Sequence, residues 1–237
     1  MNTQIKKEII RLAEENPLEE ICGFIYYTFD AVKLFPCNNI ESDKSRSFEI
    51  SKNDYLNCLR LGKICGVYHS HALDDSAFTK DDIESADEIA LPLYVYSLID
   101  KKFQEYIPKN YILPLEGLPF IIGLFDCYEM MRIYFRQNYN IYPSDYDRDE
   151  SYHNDHTDII ANNFEKEGFH KSLDTFCLTK NDVLVFSSNL ARPQHFGVFL
   201  GNSKILDHKI GRLSGISYLN MSNVGKLKYV LKYKTPL

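Results

Sequence analysis

The run KICGVYHSH, Lys63 to His71, constrains this chain more than any other stretch. Its β-branched and aromatic residues suit a buried strand. It ends on two imidazoles, His69 and His71, with Ser70 between them. Residues i and i+2 of a strand face the same side, so the two rings point together and Ser70 turns away. Two zinc-binding imidazoles require that arrangement, with a third ligand from elsewhere and a fourth position left for water. Asp82, eleven residues after His71, could close the set from the first turn of a helix that the Thr79 hydroxyl caps. Asp81 faces about 100° away on such a helix. Hydrolysis there would need a base to take a proton from water, and Glu20, just ahead of ICGF, is the best-placed acidic residue. The competing reading is a polar strand end whose histidines hydrogen-bond to nearby backbone.

A chain of 237 residues, 44% hydrophobic and 25% charged, can build one large domain or two small ones around a sizeable core. A net charge of −6 without a basic run argues against a nucleic-acid partner. The N-terminal MNTQIKKEIIRLAEEN has no apolar signal-peptide core, and no window approaches the roughly 18 apolar residues of a membrane span. The expectation is synthesis in the cytoplasm, with any role outside the cell needing delivery by other means. Six cysteines occur without a CxxC pair, so neither a zinc ribbon nor a disulfide scaffold is indicated.

The pattern along the chain changes once. The first half reads as a helix at IKKEIIRLAEEN, a strand ICGFIYY paired with VKLFPC, a short strand SFEIS, a helix after Ser51, the strand KICGVYHSH, a helix after Thr79, and a strand LYVYSLID. Lys101 to Leu118, with two prolines and mixed polarity, reads as a join. Then come an apolar helix starting near Cys127, a helix at IIANNFEKEGF, and strands DVLVFS, HFGVFLG, KILDH and LKYVLKY. The polar loop Ser144 to Asp158 carries His153 and His156, which read as solvated. The fold class is α+β in two domains, 1–105 and 112–237.

A second constellation lies in the second unit. Cys127 opens the helix of Phe125-Asp126-Cys127-Tyr128. A helix N-terminus favours a thiolate, so a lowered thiol pKa is expected. His195, opening HFGVFLG, is the candidate base. A third group would orient the ring: twelve positions on stands Asp207, with His208 as its rival. For either residue alone, a buried cysteine and a strand-start histidine are the plainer reading.

Two resemblances follow from these residues. Glu20-Ile21-Cys22-Gly23, then His69-Ser70-His71, then Thr79 three ahead of Asp82, resemble the JAMM (MPN+) metalloprotease motif. That resemblance implies an α/β sandwich over about the first 100 residues, Zn²⁺ held by His69, His71 and Asp82, Glu20 as general base and Thr79 steadying the oxyanion. Ala72 replaces the usual Pro, and Thr79 the usual Ser. Asp126-Cys127-Tyr128-Glu129-Met130 and His195-Phe196-Gly197 resemble the NlpC/P60 cysteine peptidases, a papain-like α+β family. This implies Cys127 as nucleophile, His195 as base, and Asp207 or His208 as the third residue. Glu129 stands where that family usually has Gly.

The order of the two units resembles the tail-tip assembly proteins of lambda-like bacteriophages along nearly the whole chain. It implies a tail-tip component in the virion, made in the host cytoplasm without a signal peptide. Its enzymes would be a zinc isopeptidase or peptidase and a cysteine endopeptidase, acting on peptidoglycan stem peptides at the cell wall. Its partners would be other tail-tip proteins, with no nucleic acid and no membrane span. The departures at Ala72, Thr79 and Glu129 motivate an alternative, a non-catalytic assembly factor of the tail. A deubiquitinase-like isopeptidase ranks below both, because it leaves the Cys-His pair unexplained.

Overall fold

The computed structural model describes residues 1–148, 163–187 and 195–234. The chain forms two compact units, Thr3–Ile112, and Leu113–Leu237 together with Met1–Asn2. His153 and His156 lie outside the described residues.

The first unit runs α1 (Thr3–Glu15), β1 (Cys22–Tyr27), β2 (Val32–Cys37), α2 (Lys52–Leu61), β3 (Lys63–His71), α3 (Lys80–Ile89), β4 (Leu93–Ser97) and β5 (Phe103–Tyr106). Its sheet has the order β2-β1-β3-β4-β5, with β3 and β4 parallel. β2 is an edge strand, which is why Pro36 is tolerated within it. α1 buries Ile5, Ile9 and Ala13, and the residue before Pro17 is biased away from helix, so α1 stops at Glu15. Ser51 caps α2 by accepting from the Asp54 N–H at 3.0 Å. One apolar cluster joins Phe24 and Tyr26 of β1, Val67 of β3, Leu93 and Val95 of β4, Cys58 of α2 and Ala86 of α3. His69 pairs with Cys22 and Val95 across the sheet. Paired residues of neighbouring strands share a face, so the imidazole lies at the end of this same packed surface.

Two expectations change here. SFEIS is not a strand: only Ile50 makes a bridge, to Asn39. The join expected from Lys101 contains β5, which pairs antiparallel with β4 and carries the first unit on to Ile112. FQEY alternates weakly between apolar and polar residues, and four residues leave little period to read.

The second unit runs α4 (Cys127–Tyr139), β6 (Phe169–Ser172), β7 (Val183–Phe186), β8 (His195–Gly201), β9 (Lys204–Asp207), β10 (Gly215–Tyr218), a one-turn helix Met221–Val224 and β11 (Leu227–Tyr233). The sheet order is β10-β9-β8-β7-β11-β6, antiparallel at each pairing. α4 packs on β8 and β9 and buries every residue from Tyr128 to Phe135, including the charged Glu129 and Arg132. Asn140 ends it in the left-handed region at φ 56°, a conformation Asn accepts. The helix expected at IIANNFEKEGF lies partly outside the described residues, and its described part, 163–168, is mostly turn. Gly168 there has φ +87° and leads directly into β6.

Close backbone approach fixes Gly23 in β1. A Cβ there would stand 2.4 Å from the Phe35 carbonyl oxygen and 2.7 Å from the Tyr68 hydroxyl. Gly23→Ala should therefore destabilise the first unit by about 1–3 kcal/mol. The check is the urea midpoint of purified protein, and an unchanged midpoint contradicts the packing described.

Candidate functional site

At the end of β3 the two imidazoles converge. His69 Nε2 and His71 Nε2 lie 3.0 Å apart. Asp82 Oδ1 is 3.2 Å from the first and Asp82 Oδ2 3.5 Å from the second. Asp82 is held there by a capping box: Thr79 N–H donates to its carboxylate at 2.8 Å, and its own N–H donates to Thr79 Oγ1 at 3.1 Å. The Thr79 hydroxyl oxygen is thus engaged as an acceptor from the Asp82 N–H. His71 Nδ1 lies 2.6 Å from the Asp75 carbonyl. A carbonyl only accepts, so Nδ1 carries a proton, and Nε2 presents a lone pair when the ring is neutral; burial opposes the charged ring, but the Asp82 carboxylate and the Asp75 carbonyl push its pKa up to about 9. His69 is fully buried and stacked on Phe48, with ring centroids 4.5 Å apart.

These donors suit one metal ion. Ligands about 2.0–2.1 Å from zinc at tetrahedral angles stand about 3.3 Å from each other, and the three separations above bracket that value. Among the described residues this is the one group of three His, Cys, Asp or Glu side chains so arranged. Glu20 is buried just before β1, and burial pushes its carboxyl up to about 7 against the pull of His71. Burial also opposes the Asp82 charge, yet His69 and His71 hold that carboxyl well below the usual range.

In the second unit, Asp126 caps α4, with Oδ1 accepting from Glu129 N–H and Oδ2 from Gly123 N–H, each at 2.8 Å. Cys127 follows at the first helical position and is half-buried. The thiol pKa is not lowered, as the helix N-terminus alone would have it. Burial pushes it up to about 12, the neighbouring Asp126 carboxylate adds to this, and the Phe196 N–H and Arg148 pull it down by less. At rest the group is a thiol.

His195 starts β8 one residue before Phe196, and its ring stacks on Phe186 at 5.7 Å. His195 Nε2 lies 3.3 Å from Asp207 Oδ2. Strand register makes this contact. Gly197, two residues after His195, pairs with Asp207 on β9. A Cβ at Gly197 would stand 2.6 Å from Ile205 Cγ2 and 3.4 Å from Asp207 Cβ, so glycine leaves the room in which the carboxylate leans towards the ring. Lys209 Nζ lies 2.8 Å from the same Asp207 oxygen. His208 is fully buried and edge-on to Phe120 at 5.1 Å, with no hydrogen-bond partner at either ring nitrogen.

Comparison with known proteins bears on this unit directly. Residues 117–235, just over half of the chain, match the model of the NlpC/P60 family. The chain belongs to the NlpC/P60 family. Over 203 residues it is also 27% identical to the "Tail tip assembly protein K" of Escherichia phage N15, covering 85% of this chain and 82% of that protein. The solution structure of a protein from Desulfitobacterium hafniense aligns with 45% of this chain and 88% of its own, at 18% identity and a TM-score of 0.36.

The NlpC/P60 unit also holds an ion cluster that sequence reasoning missed. Glu129 is buried, and its carboxylate pairs with Arg132 at 2.6 Å and Arg148 at 3.6 Å. Arg148 Nε lies 2.7 Å from Asp126 Oδ2. Asp145 pairs with Arg148 at 3.1 Å and Arg132 at 3.3 Å. Only the spacing of Glu129 and Arg132, three apart on one helix, hints at this in the sequence.

Burial opposes the charges of Asp126, Glu129 and Asp207, but their cationic partners hold all three pKa values below normal. A lowered folded-state pKa contributes stability that is full above the unfolded values of about 4 and is lost as pH falls through the folded values. The melting temperature of the NlpC/P60 unit should be flat from about pH 7 to 5 and fall below about pH 4. Glu129→Gln should flatten that fall. Melting followed by near-ultraviolet circular dichroism checks this, and indifference to acid contradicts it.

Proposed function

We propose that this protein is a phage tail-tip component whose NlpC/P60 unit is a cysteine endopeptidase for peptidoglycan stem peptides. The observation that carries the enzymatic reading is the His195–Asp207 contact at the start of the strand whose next residue, Phe196, gives its backbone N–H to the Cys127 sulfur. Because Asp207 engages Nε2, Nδ1 is the nitrogen that serves the thiol. The sulfur rests protonated, so His195 takes its proton as the S–C bond forms on the scissile amide carbon. The protonated ring then gives that proton to the departing amine. Water, deprotonated by His195, releases the acid product and frees the sulfur. Asp207 keeps the ring oriented. Similarity to the tail tip assembly protein of phage N15 supports a virion role with other tail proteins as partners. Among the described residues no helix is long and apolar enough to cross a membrane.

The first unit is read as a JAMM-type zinc hydrolase. His69, His71 and Asp82 would hold the ion, which when bound supplies Lewis acidity towards a carbonyl and towards water. Glu20 is the base that accepts a proton, and the Thr79 hydroxyl donates towards the developing oxyanion. The matching donor separations support this reading.

Cys127→Ala should abolish release of stem fragments from purified muropeptides. Asp207→Asn should lower kcat by roughly tenfold or more, and by more than His208→Asn. Unchanged cleavage by Cys127→Ala removes the thiol mechanism. For the first unit, one zinc per chain is expected by elemental analysis, lost in His71→Ala and Asp82→Ala. Zinc retained in both variants removes the metal reading.

The departures at Ala72, Thr79 and Glu129 favour a second reading, an assembly factor without catalysis. A His71→Ala, Cys127→Ala double variant that restores infectivity to a tail-defective phage would establish it.

A further inference from the structure

We propose that Arg148 is a positioning residue of the cysteine site, tying together the residues on either side of Cys127 and offsetting the charge of the carboxylate that caps its helix. This rests on the cysteine-peptidase reading of that site. Asp126, immediately before the nucleophile, receives the guanidinium Nε at 2.7 Å. Tyr128, immediately after it, receives the same guanidinium over its ring at 4.9 Å. Arg148 is 2% exposed and fixed from behind, through Nη1, by Asp145 at 3.1 Å and the Tyr146 carbonyl at 2.6 Å. A long side chain gripped at both ends cannot relocate without leaving buried carboxylates unpaired.

The charge balance gives the grip a chemical role. Asp126 is needed as a cap, since it accepts from two backbone N–H groups as well as from Arg148. The cap also places an anion beside a sulfur that must shed a proton. The elements packed around the start of α4 carry His195 on β8, Asp207 on β9, His208 and Lys209 beyond it, Glu129 on α4 itself, and Asp145 in the loop with Arg148. Asp126 and Arg148 act on the sulfur with opposite sign. With the guanidinium in place the cap keeps its geometry and the nucleophile is spared much of its field.

The test is the rate of iodoacetamide alkylation at Cys127 in the full chain, resolved by peptide mass and followed from pH 6 to 10. Arg148→Met should slow alkylation at pH 8 by about tenfold, equivalent to moving the thiol up by about one pH unit. Arg148→Lys, which keeps the charge, should recover at least half of that loss on a logarithmic scale. A folded Arg148→Met protein that alkylates at the wild-type rate or faster overturns the proposal, as does Arg148→Lys as slow as Arg148→Met. If Arg148→Met does not fold, Arg148→Gln, which keeps hydrogen-bond donors without the charge, decides. Alkylation slower than wild type there supports the proposal, and an unchanged or faster rate overturns it. Muropeptide cleavage by the unaltered protein is scored separately, so loss of the peptidase reading is distinguishable from loss of the role of Arg148.

Discussion

A pleated strand sends every second side chain to one face, and both candidate sites depend on that alternation. On β3 it aligns His69 with His71, and on β8 it aligns His195 with Gly197. Pairing then supplies what one strand cannot. Antiparallel register sets Asp207 opposite Gly197, one side-chain step from His195. Asp82 arrives differently, through a capping box at the start of α3. A register slip of one residue would turn His69, His71 and His195 to the wrong face. The close packing of Gly23 and of Gly197 against neighbouring strands opposes such a slip. Site geometry and sheet packing are therefore one constraint.

Burial then decides which groups are charged. Cys127 lacks a cation strong enough to offset its desolvation and stays a thiol, whereas Asp126 and Glu129 have arginines and ionise. A helix N-terminus is a fractional charge and cannot by itself outweigh desolvation of a sulfur. In the reaction proposed above, proton transfer from sulfur to imidazole is therefore coupled to attack, and the alignment of His195 by Asp207 matters at that step. In the first unit Asp82 keeps its charge beside two imidazoles, one of which offers a lone pair when neutral. That charge pattern favours a cation between them.

Much of this was legible in the sequence because it is local. The i, i+2 spacing of His69 and His71, the Thr79 cap three residues ahead of Asp82, and the helix start at Cys127 each lie within four residues of chain. Spacing favoured Asp207 over His208, but the contact of Asp207 with His195 was not itself legible, because it rests on register across two strand pairings. Arg148 was invisible for the same reason: it lies in a polar segment, 22 residues from the carboxylate it serves. Composition suggested a solvated loop there, and composition cannot show that a loop doubles back to bury one guanidinium. The missed β5 and the overread SFEIS fail at the other extreme, as segments too short for a period to be distinguished from chance.

Glu129 joins these strands of reasoning. Read alone, a glutamate in place of glycine beside a nucleophile argues for a damaged site. In the fold its carboxylate meets two arginines, and one of them also holds Asp126. A small residue at that position would leave those buried cations short of a partner, at a cost of several kcal/mol. The departure and the arginines therefore make physical sense only together. The comparison that tests function at this position is between whole clusters, since exchanging Glu129 alone disturbs the support of Cys127 whether or not the site is active.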